Sequence, residues 1–130
     1  MRVASPILVL CGFLAACGSA PPQSGVDARR ERLTELNDSG QRAGARGDLR
    51  RAAAHYIEAL RLAEAIEDFR STAINALNLA ATWQALDEIE PCHRALDKVL
   101  ASPARFEQRF VAEAAGRKAL LAVSIAAGVV

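Results

Sequence analysis

Gly47-Asp48-Leu49-Arg50-Arg51-Ala52-Ala53-Ala54-His55-Tyr56-Ile57-Glu58-Ala59-Leu60-Arg61-Leu62-Ala63 is the stretch that decides the fold. Leu49, Ala52, Ala53, Tyr56, Ala59, Leu60 and Ala63 recur at steps of three and four, which places them on one helix face. Asp48 stands where a carboxylate can accept the free N–H groups of a first helical turn. Gly40, Gly44 and Gly47 close the helical segment before it.

Working outward, a shift of forty residues superposes Gly40 on Ala80, Leu49 on Ile89, Ala52 on Cys92, Tyr56 on Leu96, Ala59 on Val99 and Leu60 on Leu100. Small positions return small and large ones large, except that Ala43 meets Trp83, a bad size mismatch, and Ala59 meets Val99, a mild one. A repeating helix pair needs small residues where two helices cross and large ones where they wedge into the next pair. These residues resemble the tetratricopeptide repeat (TPR) family in a variant with a period near forty instead of about 34. Gly40, Gly47-Asp48-Leu49, Ala52, Tyr56, Ala59-Leu60 and Leu62 carry the likeness in the first repeat; Asn78-Leu79-Ala80, Trp83, Leu86, Ile89, Leu96 and Leu100 carry it in the second. Ser39 departs from the usual large residue, Asp87 from the turn glycine and Cys92 from an alanine, and no proline follows Leu62.

The expected fold is therefore all-α, an array of antiparallel helix pairs with two repeats and a capping helix over residues 27–130. Five helices are expected, at roughly Asp27 to Arg46, Asp48 to Glu67, Ser71 to Leu86, Glu88 to Ala101 and Ala104 to Ala127. Between Asp48 and Glu90 there is no Gly or Pro, so only Glu67-Asp68 with Ser71-Thr72 marks the break between the second and third. Pro91 suits a first helical turn, and Pro103 is expected to open the fifth helix.

Residues 1–16 read as a signal peptide: Arg2 is followed by an apolar run with Ser5 as its one polar side chain, too short to span a bilayer. The run ends in Leu14-Ala15-Ala16-Cys17-Gly18-Ser19, which resembles a bacterial lipobox. That resemblance implies lipidation of Cys17 after cleavage, and Gly18-Ser19 without an aspartate implies sorting to an outer membrane, facing the periplasm of a diderm cell. Two or more acyl chains hold a protein stably on a membrane. Residues 17–26, with Pro21-Pro22 and no large apolar side chain before Val26, read as a flexible tether. Cys92 is then the one thiol left free in the mature chain, and no internal disulfide is possible.

Composition narrows function. The 130 residues are 52% hydrophobic, 5% aromatic and 24% charged, with net charge +1. That excludes a disordered tail, a polytopic membrane protein and a nucleic-acid binder that works through bulk positive charge. No phosphate loop, His-Glu-x-x-His, Cys-x-x-Cys or Gly-x-Ser-x-Gly occurs, so no catalytic residue, metal ligand or cofactor is expected. Cys92-His93 is the one pair that invites a nucleophile reading, as an envelope enzyme, but neighbours in a helix point about 100° apart.

TPR arrays hold an extended peptide or partner helix on the face built from the first helix of each repeat. That resemblance points to Thr34, Asn37, Gln41 and Ala45, then Leu77, Asn78, Ala81 and Gln84. Asn37, Gln41, Asn78 and Gln84 offer donors and acceptors to a peptide backbone and are the expected partner-binding set. The expectation is a lipid-anchored adaptor or scaffold for a protein partner in the cell envelope, assisting assembly of a complex. From Ala119 to Val130, Ser124 is the one polar side chain. This end is expected to pack across the second repeat; the alternative is a homo-oligomerising structural lipoprotein that self-associates through Leu120 to Val130.

Overall fold

The computed structural model describes residues 25–128, which are mostly helical and include no strand. The elements are α1 (Gly25–Ala45), α2 (Leu49–Ala65), α3 (Phe69–Ala85), α4 (Ile89–Leu100), a 3₁₀ turn (Pro103–Arg105) and α5 (Gln108–Ala126). Each helix packs on the next, and α5 also touches α3. The expected signal peptide, Cys17 and nearly all of the expected tether lie outside the described residues, as do 129 and 130.

One local device is used three times. Residues 47, 67 and 87 take positive φ, at 79°, 54° and 56°. Behind them the N–H groups of Asp48, Asp68 and Glu88 donate to the carbonyls of Ala43, Ala63 and Trp83 at 3.0, 3.0 and 2.9 Å. This is the Schellman closure, which satisfies carbonyls that a helix end would leave free. The next helix starts at once: Asp48 Oδ1 accepts from the Arg51 N–H at 3.2 Å and Asp68 Oδ1 from the Ser71 N–H at 2.9 Å. Seventeen-residue helices at α2 and α3 plus three-residue turns therefore advance the chain by twenty residues, and a hairpin by forty.

Glycine occupies the left-handed position at residue 47, but Glu67 and Asp87 hold it at a cost of about 1–2 kcal/mol each. Part of that is recovered because a side chain restricts the unfolded chain more than glycine does. Glu67→Gly and Asp87→Gly are each expected to stabilise the fold by about 0.5–1 kcal/mol, adding almost independently in the double variant. A urea midpoint that rises at constant slope is the measurement; a fall at both positions would contradict the turn geometry.

The core is alanine-lined. Leu33 and Leu36 of the first half of α1 meet Ala59 and Ala63 of the second half of α2, as an antiparallel hairpin requires. Ala43, Ala52, Ala53, Tyr56, Ala73, Ala76, Leu77, Ala80, Leu96 and Val99 belong to the larger cluster, which Phe110, Ala114 and Leu121 of α5 join. Gly40 is buried because the Tyr56 ring lies over it: a β-carbon there would fall 2.6 Å from Tyr56 Cε1. α3 is buried nearly all round, since α2, α4 and α5 pack on it. Asn75 inside it is fully buried, with Nδ2 donating to the Ser71 carbonyl at 2.9 Å and no donor to Oδ1 among the described residues.

Helix starts differ from expectation by two or more residues in three places. α3 begins at Phe69 instead of Ser71, because Asp68 caps it. α1 begins at Gly25, taking in Gly25 and Val26 assigned to the tether. Pro103 does not open the fifth helix; it opens the 3₁₀ turn, Phe106 is extended, and α5 starts at Gln108 instead of Ala104. The reason is packing of the linker. Phe106 sits edge-on to Phe69 at 6.3 Å between centroids, and Arg105 lies over the Phe69 ring, which holds the chain off helix until Glu107.

Candidate functional site

The expected partner-binding residues lie on α1 and α3. Gln41 is exposed and donates through Nε2 to Asn37 Oδ1 at 2.8 Å, so these two amides satisfy part of each other's capacity. Asn78 is half-buried, and its carbonyl accepts from the Thr82 hydroxyl at 2.8 Å; Gln84 is exposed near the end of α3. Thr34 is exposed and donates to the Arg30 carbonyl, and Leu77 is buried in the core, where it is inaccessible to a ligand.

The clefts of the fold lie elsewhere. α2 and α4 run parallel, bridged at their starts by Arg50–Glu88 at 3.4 Å and near their ends by Lys98–Glu64 at 2.8 Å. Between the bridges is a groove of about 460 Å³ with α3 as its floor, lined by Ile57, Leu60, Leu79, Trp83, Pro91 and Ala95, with Arg94 and Lys98 at its edge. Lys98 also bounds a second, more polar cleft of about 710 Å³ toward Glu67, Phe69, Arg105 and Phe106. The Lys98–Glu64 bridge thus separates an apolar slot from a charged one.

Trp83 is the residue that breaks the forty-residue match most sharply, and the structure supplies the reason. At the same position of the first hairpin Ala43 is fully buried between helices, whereas Trp83 stays half-buried and forms a wall of the groove. Arg94 and Ile57 carry no sequence signal of their own; parallel α2 and α4 bring them together. No known protein family, curated protein or solved structure matches this chain.

Cys92 is buried, and burial pushes its thiol above the ordinary 9.0, with Arg117 pulling the other way to a smaller extent. Such a thiol is protonated at neutral pH, the opposite of an activated nucleophile. Burial also raises Tyr56 above 10.0. Both groups hold their protons more firmly folded than unfolded, so the stability they confer is complete below pH 9.0 and is lost as pH rises, first through Cys92 and then through Tyr56. Unfolding by urea from about pH 7 to pH 11 should show this decline, and Cys92→Ala should remove its lower part; a midpoint rising with pH would contradict the burial of both groups. Among the described residues no cluster of His, Cys, Asp and Glu has a metal-holding arrangement.

Toward the end of the chain, α5 buries Phe110, Ala114 and Leu121 and leaves Leu120, Val123 and Ile125 exposed. The expectation that the whole apolar end packs across the second repeat is thus met by Leu121 alone of these large residues. α5 has α3 and α4 on one side and no helix of the described residues on the other. No helix among the described residues is long and apolar enough to cross a membrane.

Proposed function

We propose that the protein is a lipid-anchored, TPR-like adaptor of the cell envelope, which holds another polypeptide and assists assembly of a complex. The observation that carries this reading is the apolar slot between α2 and α4. Its lining is mainly apolar, and its wall includes a partly exposed tryptophan, a residue type enriched at binding hot spots. Arg94 at its edge suits an acidic residue beside the apolar anchors of the partner. Asn37 and Gln41 on α1, and Asn78 and Gln84 on α3, offer further polar groups for a contact on the first helices of the hairpins.

The TPR resemblance, the lipobox at Cys17 and the outer-membrane address rest on the sequence. With two hairpins and a fifth helix the binding surface is short, so micromolar affinity is expected for the domain alone. Confinement of anchor and partner to one membrane raises the effective concentration and the avidity.

Two experiments test this. Mass measurement of the mature protein should find acyl groups on Cys17, and Cys17→Ser should leave the membrane; an unmodified cysteine would remove the anchor. A partner recovered with the wild type from detergent-solubilised envelopes should be lost with Arg94→Glu if the slot holds it, or with Gln41→Ala plus Asn78→Ala if the polar surface does. Unchanged recovery with both sets would overturn the adaptor reading.

A further inference from the structure

Both charged side chains that line the slot between α2 and α4 are basic. Its apolar lining runs from Ile57 and Leu60 of α2, over Leu79 and Trp83 of α3, to Pro91 and Ala95 of α4, and Arg94 and Lys98 stand one turn apart at its edge. Lys98 is held by Glu64 at 2.8 Å. Arg94 is exposed and makes no ion pair or ring contact among the described residues; Glu90, one turn earlier on α4, is exposed as well and does not reach it. We propose that the occupant of this slot is an acidic amphipathic helix of about two turns, which lays an apolar stripe on Trp83 and pairs a flanking carboxylate with Arg94. The proposal deepens the adaptor reading and rests on it.

Backbone chemistry selects a helix. At Ile57, Leu60, Leu79 and Ala95 the walls are helix interior, with N–H and C=O groups bonded within their own helices. The indole N–H of Trp83 is the one polar group of the apolar lining, and Arg94 and Lys98 add donors alone. An extended peptide would bury backbone N–H groups where nothing accepts from them, which is costly. A helix satisfies its own backbone and brings only side chains to the slot. From Pro91 to Lys98 the α4 wall advances about 10 Å, which admits apolar anchors at positions i, i+3 or i+4, and i+7 of the guest. The slot is open along one flank. An acyl chain lying there would keep apolar surface in water, whereas an amphipathic helix turns its polar side outward.

Charge then fixes the character of the guest. The ends of the slot are neutralised within the chain, by Arg50 with Glu88 and by Lys98 with Glu64. Arg94 between them is the charge left without a counter-ion, and its planar guanidinium suits a carboxylate held in two hydrogen bonds. Lys98 reinforces it, because its pair with Glu64 is exposed on both sides and open to exchange. A guest carboxylate beside the apolar stripe meets both cations, and a guest Lys or Arg in the same place meets them as like charges.

Trp83 is the one tryptophan of the chain, so its emission reports on the slot it lines. The full chain in phosphatidylcholine bicelles is titrated with two helical peptides of about 14 residues. Both carry leucine at i, i+4 and i+7; one has glutamate flanking that stripe, the other lysine at the same places. Trp83 emission should move to shorter wavelength on binding, with the acidic peptide held about tenfold more tightly than the basic one. Arg94→Glu should reverse that order, which an unfolded variant cannot do, and Arg94→Gln should leave the two peptides equal. A proline in the middle of the acidic peptide breaks its helix and should abolish binding. Equal affinities with the wild type, an order that Arg94→Glu leaves unchanged, or undiminished binding of the proline peptide would overturn the proposal. Emission that responds to neither peptide would do so too, and a response to sodium oleate in their place would give the slot to an acyl chain. Failure of the adaptor reading shows elsewhere, as recovery of an envelope partner that no variant alters.

Discussion

Gly40→Val is expected to cost about 3 kcal/mol of folding stability, and Gly40→Ala about 1. A β-carbon at residue 40 falls 2.6, 2.8 and 2.9 Å from three ring atoms of Tyr56, and the ring is buried, so it has little room to turn away. Overpacking of this kind costs about 1–3 kcal/mol. For alanine part of the loss is offset, because alanine is the better helix former by about 0.8–1 kcal/mol; valine brings two further methyl groups and less of that gain. The decisive check is a cycle with Tyr56→Leu. Without the ring, Gly40→Ala should change sign and stabilise, because helix propensity then outweighs what remains of the steric cost. Equal effects of Gly40→Ala in both backgrounds would show that the close approach does not limit the hairpin. At the same two repeat positions of the second hairpin stand Ala80 and Leu96, a methyl group where the partner position holds no ring.

Leu96→Ala is expected to lose about 3–4 kcal/mol, a large part of the stability of a domain this size. Leu96, like Leu121, is a large side chain almost wholly shielded from solvent, and it is joined in the core by Val99 and Cys92 of α4. Truncation leaves a cavity that α4, held by the three-residue turn before it and by its packing on α3 and α5, cannot readily close. Leu120→Ala, one of the most exposed positions, serves as the control and should change monomer stability by less than about 0.5 kcal/mol. Urea titrations of the two variants and the wild type at one protein concentration provide the comparison. Similar losses at the two positions would contradict the burial of α4 and the exposure of the outer face of α5.

Much of this architecture can be read from residues 47–102. The three- and four-residue steps from Leu49 to Ala63 describe the face that α2 buries, and Asp48 caps it as its chemistry suggests. The forty-residue recurrence corresponds to two turns of identical geometry per hairpin, twenty residues apart. That half-period is harder to see, because only Gly47 announces a left-handed residue; Glu67 and Asp87 hold the same conformation with side chains that give no warning. An acid followed by a large apolar residue, at Asp48-Leu49, Asp68-Phe69 and Glu88-Ile89, is the signal that does recur. The start of α5 is hidden for another reason. Proline at residue 103 fits a helix start, and what delays the helix is the tertiary contact of Phe106 with Phe69, which local pattern does not carry.

The candidate site is less legible. Polar residues on the first helix of each hairpin draw attention because they could bind a peptide, but Asn37 and Gln41 bond to each other and Leu77 is core. The groove depends on which helices lie parallel, a property of the whole array. Its one trace is Trp83, the large residue that breaks the match with Ala43 and stands half-buried in the wall of the groove.

The claim that this protein holds another polypeptide is tested most directly by photocrosslinking in its own cells, with a photoreactive residue replacing Arg94 in the groove, Gln41 on α1, or the exposed Glu35 on a different side of α1. A discrete adduct with a different polypeptide is expected from Arg94 or Gln41, and none from Glu35. Irradiation that yields no adduct from either position, in cells where the protein is present and folded, would contradict that claim.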